Sequence, residues 1–311
     1  MAVRSRPYVA AGVRLGQPGW VGRLFEHEAV FSWAMLAPAV LFLLAFVAYP
    51  FCYGLYISMT DLATGRAAHF VGLRNFIANT QDPAFWQVTR NTFIYTGGAT
   101  VLKLLGGLLL ALVMNQQFRA KNAVRAAFLL PWIVPTVLSA IAWMWIFDPT
   151  FSVINWVLVH LGLVARGPAW LGDGNLAMVA VIIANVWRGI PFYAITLLAA
   201  LQTIPADLYE AAAIDGASPS QRFVHVTIPF LKPVLAIVTM FSVIWTFSDF
   251  QLVYVLTGGG PANATNLFAT YAFNLAMGAG QLGQGASIAL SMFPPLLLVI
   301  LALTLYLRRS D

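Results

Sequence analysis

Ser242, Trp245, Thr246 and Asp249 recur at i, i+3, i+4 and i+7, and Asn185, Arg188, Gly189 and Phe192 repeat the same spacing. Each set therefore forms one stripe on a helix. Both stripes lie within long apolar runs, where a carboxylate or guanidinium avoids lipid. Turned toward each other, they would make a polar cleft with aromatic walls. Such a cleft suits a sugar, whose hydroxyls need donors and acceptors while its C–H face stacks on a ring. The same residues also fit a structural role, with Arg188 and Asp249 neutralising one another and Trp245 in the core. No acid, base and metal set converges anywhere in the chain, so catalysis is not expected.

A second unusual stretch is the polar interval Pro205 to Pro233, between two apolar runs. Ala206 to Asp215 is rich in helix formers, Gly216 supplies a turn, and Ser218 before Pro219 reads as an N-cap followed by proline at the first helical position. Leu208, Ala211, Ala212 and Asp215 share one small, mostly apolar face, while Glu210 points elsewhere. The spacing predicts a two-helix hairpin outside the lipid, with a surface suited to a groove on another protein. An ordinary re-entry loop is the alternative reading.

The elements carrying these residues follow from composition. Of 311 residues, 60% are hydrophobic and 9% charged, against roughly a quarter charged in soluble domains. This places the chain in a bilayer as an all-α protein. Apolar runs predict six spans at about 29–59, 92–114, 126–147, 176–201, 234–256 and 285–307. The first run is longer than a signal-peptide core and is kept as a span. Pro131 and Pro135 break the third, Pro294 and Pro295 bend the sixth, and Lys103 is costly in the second unless it snorkels or meets a polar neighbour. Gly97, Gly98, Gly106 and Gly107 are expected to let helices approach closely. Residues 1–28 form a basic tail, 148–175 a loop with a short helix over 153–163, and 262–284 a polar, flexible connection. The single cysteine, Cys52, and four scattered histidines provide neither a disulfide nor a metal site. Phosphate-loop and dinucleotide glycine patterns are absent, and scattered basic residues give no nucleic-acid surface.

With six spans, eleven Lys and Arg fall on the side of the termini and the 205–233 interval, against four on the other side. The excess of positive charge puts both termini and that interval in the cytoplasm.

Glu210-Ala211-Ala212, Gly216, Val226, Ile228 and Pro229 resemble the EAA loop of the membrane-spanning permease subunits of ABC importers. Asp215-Gly216-Ala217 and Phe223 are typical of its carbohydrate-uptake branch. Leu256 through Pro261, Val71 to Phe76, and Pro131-Trp132 with Pro135 extend the resemblance over nearly everything beyond residue 30. It implies a type I importer fold with six helices over 29–311 in a bacterial inner membrane. The loop at about 202–232 would be the coupling helix, with Glu210, Ala211, Ala212, Asp215, Gly216 and Arg222 contacting an ATPase. In maltose-like members, sugar is held at positions matching Asn185, Arg188, Gly189, Phe192, Ser242, Trp245, Thr246 and Asp249. Those members have Leu for Arg188, Phe for Trp245, and Asn for both Thr246 and Asp249. The implied partners are a second related permease subunit, two ATP-binding subunits and an extracytoplasmic solute-binding protein. ATP and Mg would be used by the ATPase and no cofactor bound here. The expected substrate is a di- or oligosaccharide; a sugar phosphate or other anionic polyol, or an ion-coupled secondary transporter, is the alternative.

Overall fold

The computed structural model describes residues 28–310, with side chains described over 32–305. The tail expected over 1–28 lies, but for Glu28, outside the described residues. The chain forms two units that part after Gly54. Among the described residues the secondary structure is helical, apart from one isolated bridge between Thr60 and Phe70.

The first unit holds Glu28–Leu43 (α1), a π turn, Leu44–Ala48, and the start of Tyr49–Ser58 (α2). Its sequence is apolar on every face, and none of its described side chains up to Gly54 is buried. A helix that is hydrophobic all round is a membrane span. Cys52 is exposed on it.

The second unit is built on Pro83–Asn115 (α4) and Gly174–Leu201 (α8), both capped by aspartate. The Asp82 carboxylate accepts from the Ala84 N–H, and that of Asp173 from the N–H groups of Asn175 and Leu176. These bonds satisfy donors a helix start leaves free. Pro83 at the first position explains why α4 begins well before the expected Thr92. Small residues set the approach of α4 to α8. A Cβ on Gly107 would fall 2.2 Å from Tyr193 Cβ, one on Gly106 2.9 Å from Ile190, and one on Gly98 3.4 Å from Ile182. Gly97 faces open space and has no such role.

The third apolar run is two helices, Lys121–Ile133 (α5) and Thr136–Ile146 (α6), bent by 94°. Pro135 has no N–H to continue the ladder and pushes Val134 to extended backbone, which separates them. Among the described residues five helices are long and apolar enough to cross a membrane, or six if the bent pair is one span. Trp143 stacks on Phe147 at 5.1 Å and meets Trp187 edge-on, whereas Trp145 stays 66% exposed. Trp143 is thus packed within the protein.

Arg74–Gln81 (α3) precedes α4, and Val153–His160 (α7) is the short helix anticipated in the loop after α6. After α8 come Ala206–Ile214 (α9) and Pro219–Arg222 (α10), which runs through a π turn, Phe223–Thr227, into Ile228–Phe247 (α11). The fifth span ends at Phe247, and Gln251–Thr257 (α12) is a separate helix. The connection expected to be flexible is packed instead. Phe268–Phe273 (α13) and the loop before it bury Thr265, Asn266, Leu267, Phe268 and Thr270. Asn91 of α4 donates to the carbonyls of Asn263 at 2.8 Å and Asn266 at 3.2 Å. Polarity here satisfies buried backbone groups, which explains why composition reads as exposure. Leu282–Ser291 (α14) and Phe293–Ser310 (α15) complete the chain.

Candidate functional site

Two buried apolar clusters bracket the middle of α4 and α8. One gathers Tyr95, Met178, Val181 and Leu252, the other Ala111, Met114, Tyr193, Leu197 and Leu231. Between them opens a cavity of about 410 Å³. All eight residues of the two stripes line it, together with Lys103, Trp132, Thr136, Ser248, Phe250 and Gln251.

One wall is aromatic. Trp132 of α5 stacks on Phe192 of α8 at 5.3 Å and 16°, and Trp245 of α11 meets Phe192 at 5.0 Å and Trp132 at 5.7 Å. Three helices thereby bring three rings together. Trp132 escaped the stripe analysis because it lies on a helix of its own, across the break at Pro135.

The other wall is a hydrogen-bond network. Lys103 Nζ donates to Asn185 Oδ1 at 3.0 Å and to Thr246 Oγ1 at 2.7 Å. Asn185 Nδ2 and the Tyr95 hydroxyl both donate to Asp249 Oδ2, at 3.0 and 2.7 Å, and the Leu252 N–H approaches Oδ1 at 3.4 Å. The partners fix the Asn185 amide without ambiguity, since a lysine only donates and a carboxylate only accepts. Lys103 is 4% exposed and is thus supplied with the polar neighbours it needed. Its stem reaches them only because position 189 is glycine: a Cβ there would stand 2.3 Å from Lys103 Cδ. Gly189 is therefore the gap through which Lys103 enters the site. No ion pair between Arg188 and Asp249 within 4 Å occurs among the described residues. Asp249 is held by neutral donors, and Arg188 keeps a buried Nε with no hydrogen-bond partner. The pair considered for these two residues is therefore not a contact ion pair.

Lys103 and Tyr95 were missed as members of the site because they lie on α4, away from both stripes. The signal for Lys103 was its cost alone in an apolar run; Tyr95 had none.

At the far end of α8 the predicted hairpin is present. The N–H of Ala217 bonds to Ala212 O at 2.9 Å and that of Gly216 to Ala213 O at 3.1 Å, a Schellman turn in which Gly216 has φ +79°. A Cβ at Gly216 would touch nothing, so only its backbone conformation calls for glycine. Ser218 and Gln221 form a reciprocal capping box with Pro219 between them. The Tyr209 hydroxyl meets Thr227 Oγ1 at 2.9 Å and ties α9 to the π turn. Glu210, Ala211 and Asp215 are exposed, Ala212 and Arg222 half-buried, and Ile214 is 86% exposed. An isoleucine so exposed, beside the small face expected here, leaves the hairpin with an uncovered apolar surface. No group of three or more His, Cys, Asp or Glu able to hold a metal occurs among the described residues.

Comparison with known proteins agrees with this architecture. The family model for the binding-protein-dependent transport system inner membrane component matches residues 103–310. The trehalose/maltose transport system permease protein MalF of Thermococcus litoralis is 37% identical over 87% of this chain and 91% of its own length. The sulfoquinovosyl glycerol transport system permease protein SmoG of Agrobacterium fabrum is 34% identical over 89% and 90%. The diacetylchitobiose uptake system permease protein DasB of Streptomyces coelicolor is 36% identical over 78% and 74%. In fold, the chain is similar to one in the crystal structure of a bacterial alginate ABC transporter bound to an alginate pentasaccharide-bound periplasmic protein. The TM-score is 0.79 at 22% identity, covering 92% of this chain and 98% of that one. The helical fold, the hairpin after its fourth span and these relatives together place the chain in the family of inner membrane components of binding-protein-dependent transport systems, the membrane permeases of ABC importers.

Proposed function

We propose that this chain forms one half of the translocation pathway of an ATP-driven importer of a di- or oligosaccharide. The observation that carries the reading is the cavity in which a three-ring aromatic wall faces a buried polar network. Rings stack on the C–H faces of a sugar, and the network meets its hydroxyls. Relatives whose names specify trehalose or maltose and diacetylchitobiose support the same class. The chain pairs with a second, related permease and receives substrate from an extracytoplasmic binding protein. Two ATP-binding subunits using ATP and Mg engage the hairpin through Glu210, Ala211, Ala212, Asp215, Gly216 and Arg222, while the chain itself binds no cofactor. The charge asymmetry supports cytoplasmic termini. The partner-less Arg188 Nε favours a second reading, in which the sugar carries an anionic group such as a phosphate.

The test is uptake of radiolabelled trehalose, maltose and N,N′-diacetylchitobiose by cells expressing the complete importer. Trp245→Ala should lower uptake at least tenfold, taking about 1.4 kcal/mol per decade, while complex yield and basal ATP hydrolysis persist. Uptake that survives in Trp245→Ala, or that runs on a proton gradient without the ATPase, would sink the reading.

A further inference from the structure

The polar wall of the cavity has a direction, and Lys103 sets it. An ammonium offers three donors and no acceptor. Two of the Lys103 donors occupy Asn185 Oδ1 and Thr246 Oγ1. The Asn185 carbonyl, the amide's acceptor, is thus engaged inside the protein, and one N–H of the same amide is committed to Asp249. What these groups then offer a ligand is mainly donors: the second Asn185 N–H, the Thr246 hydroxyl proton, the third Lys103 N–H and the Arg188 guanidinium, against one remaining lone pair on each engaged oxygen. Asp249 would be the natural acceptor, but its Oδ2 already takes two bonds and its Oδ1 lies against the Leu252 N–H. Lys103, Asn185, Arg188, Thr246 and Asp249 all line the cavity.

We propose that Lys103 is a specificity-determining residue: by engaging the acceptor atoms of Asn185 and Thr246 it makes this wall a donor surface, selecting a saccharide edge that presents acceptor oxygens. Ring, glycosidic and acetamido oxygens, carboxylates and hydroxyls acting as acceptors satisfy such a wall. A group that only donates leaves its donors unmet. The inference rests on the cavity being the substrate path.

The experiment uses the complete importer in proteoliposomes with whichever of trehalose, maltose or N,N′-diacetylchitobiose the wild type carries. Mono-deoxy and mono-deoxyfluoro derivatives of that saccharide are compared position by position. Fluorine keeps a weak acceptor of hydroxyl size and loses the donor, whereas deoxygenation removes both. The same binding protein delivers every derivative, so a change of preference between wild type and variant reports the pore. At one ring position or more, the wild type should transport the fluoro derivative about fivefold better than the deoxy derivative, the worth of one unmet buried donor. Lys103→Met keeps the stem beside Gly189 but frees the two acceptors, and should bring the preference to within about twofold. Lys103→Arg retains donors and should restore it. Thr246→Val, which removes a wall donor and leaves Lys103 in place, should lower the same preference. A wild-type preference unchanged in Lys103→Met, or unchanged in Thr246→Val, overturns the assignment. If Trp245→Ala impairs uptake while Lys103→Met leaves the preference intact, the role of Lys103 alone has failed. If neither variant has any effect, the reading of the cavity as substrate path has failed with it.

Discussion

Replacing Gly189 with alanine isolates the steric condition on which the polar network depends. The new Cβ would stand 2.3 Å from Lys103 Cδ, closer than carbon atoms tolerate, and 3.3 Å from its Cγ. Because the contact falls on the middle of the stem, relief requires the side chain to swing away. That movement draws Nζ off acceptors at 3.0 and 2.7 Å. A hydrogen bond involving a charged group is worth about 1.5–3 kcal/mol, so losing one costs that much and losing both about 3–6 kcal/mol. Against this, alanine is favoured over glycine inside a helix by roughly 0.5–1 kcal/mol. The two effects separate in a double-mutant cycle with Lys103→Ala, which removes the stem that clashes. In the wild-type background Gly189→Ala should lower the apparent Tm of the solubilised importer and its uptake. In the Lys103→Ala background it should be neutral or slightly stabilising. The assay is thermal unfolding of the four complexes under one scan rate, with uptake measured beside it. A penalty of equal size in both backgrounds would refute the steric argument and point to the α8 backbone itself.

Three further outcomes are expected. A cysteine at Ser220, in a chain whose Cys52 has been replaced, should resist an impermeant thiol reagent added outside sealed cells; labelling there would invert the assigned orientation. Gly216→Val forces a β-branched side chain onto φ +79°, and Ile214→Asp places a charge on the uncovered face of the hairpin; each should reduce copurification of the ATPase while membrane insertion persists, and full recovery in both would leave the hairpin without a docking role. Asn91→Leu strands the carbonyls of Asn263 and Asn266, at about 1–3 kcal/mol for buried groups left unmet; it should lower the apparent Tm and speed proteolysis within residues 258–267, and unchanged behaviour would show those carbonyls to be solvated.

Much of this protein is legible from local pattern. Apolar runs, caps and prolines act over a few residues, so the span count, the break at Pro135, the Schellman turn at Gly216 and the Ser218 cap could be read along the chain. Each two-stripe residue could also be assigned to a helix face, because i, i+3, i+4, i+7 spacing is a property of one helix. Which faces meet is not such a property. The approach of α4 to α8 through Gly98, Gly106 and Gly107 brings Lys103 and Tyr95 to a site whose other members lie far along the chain. Composition also suggested a flexible connection over residues 262–284, where Thr265, Asn266 and Thr270 are polar yet buried. The bonds that Asn91 gives to the carbonyls of Asn263 and Asn266 are long-range, as are the contacts Asp249 makes with Tyr95 and Asn185. The sequence by itself determined the apolar helices and the membrane-bound class, since local periodicity and hydropathy encode these. Only the tertiary structure decided which side chains share the cavity and which atoms their neighbours leave free, since that depends on packing between helices remote in sequence.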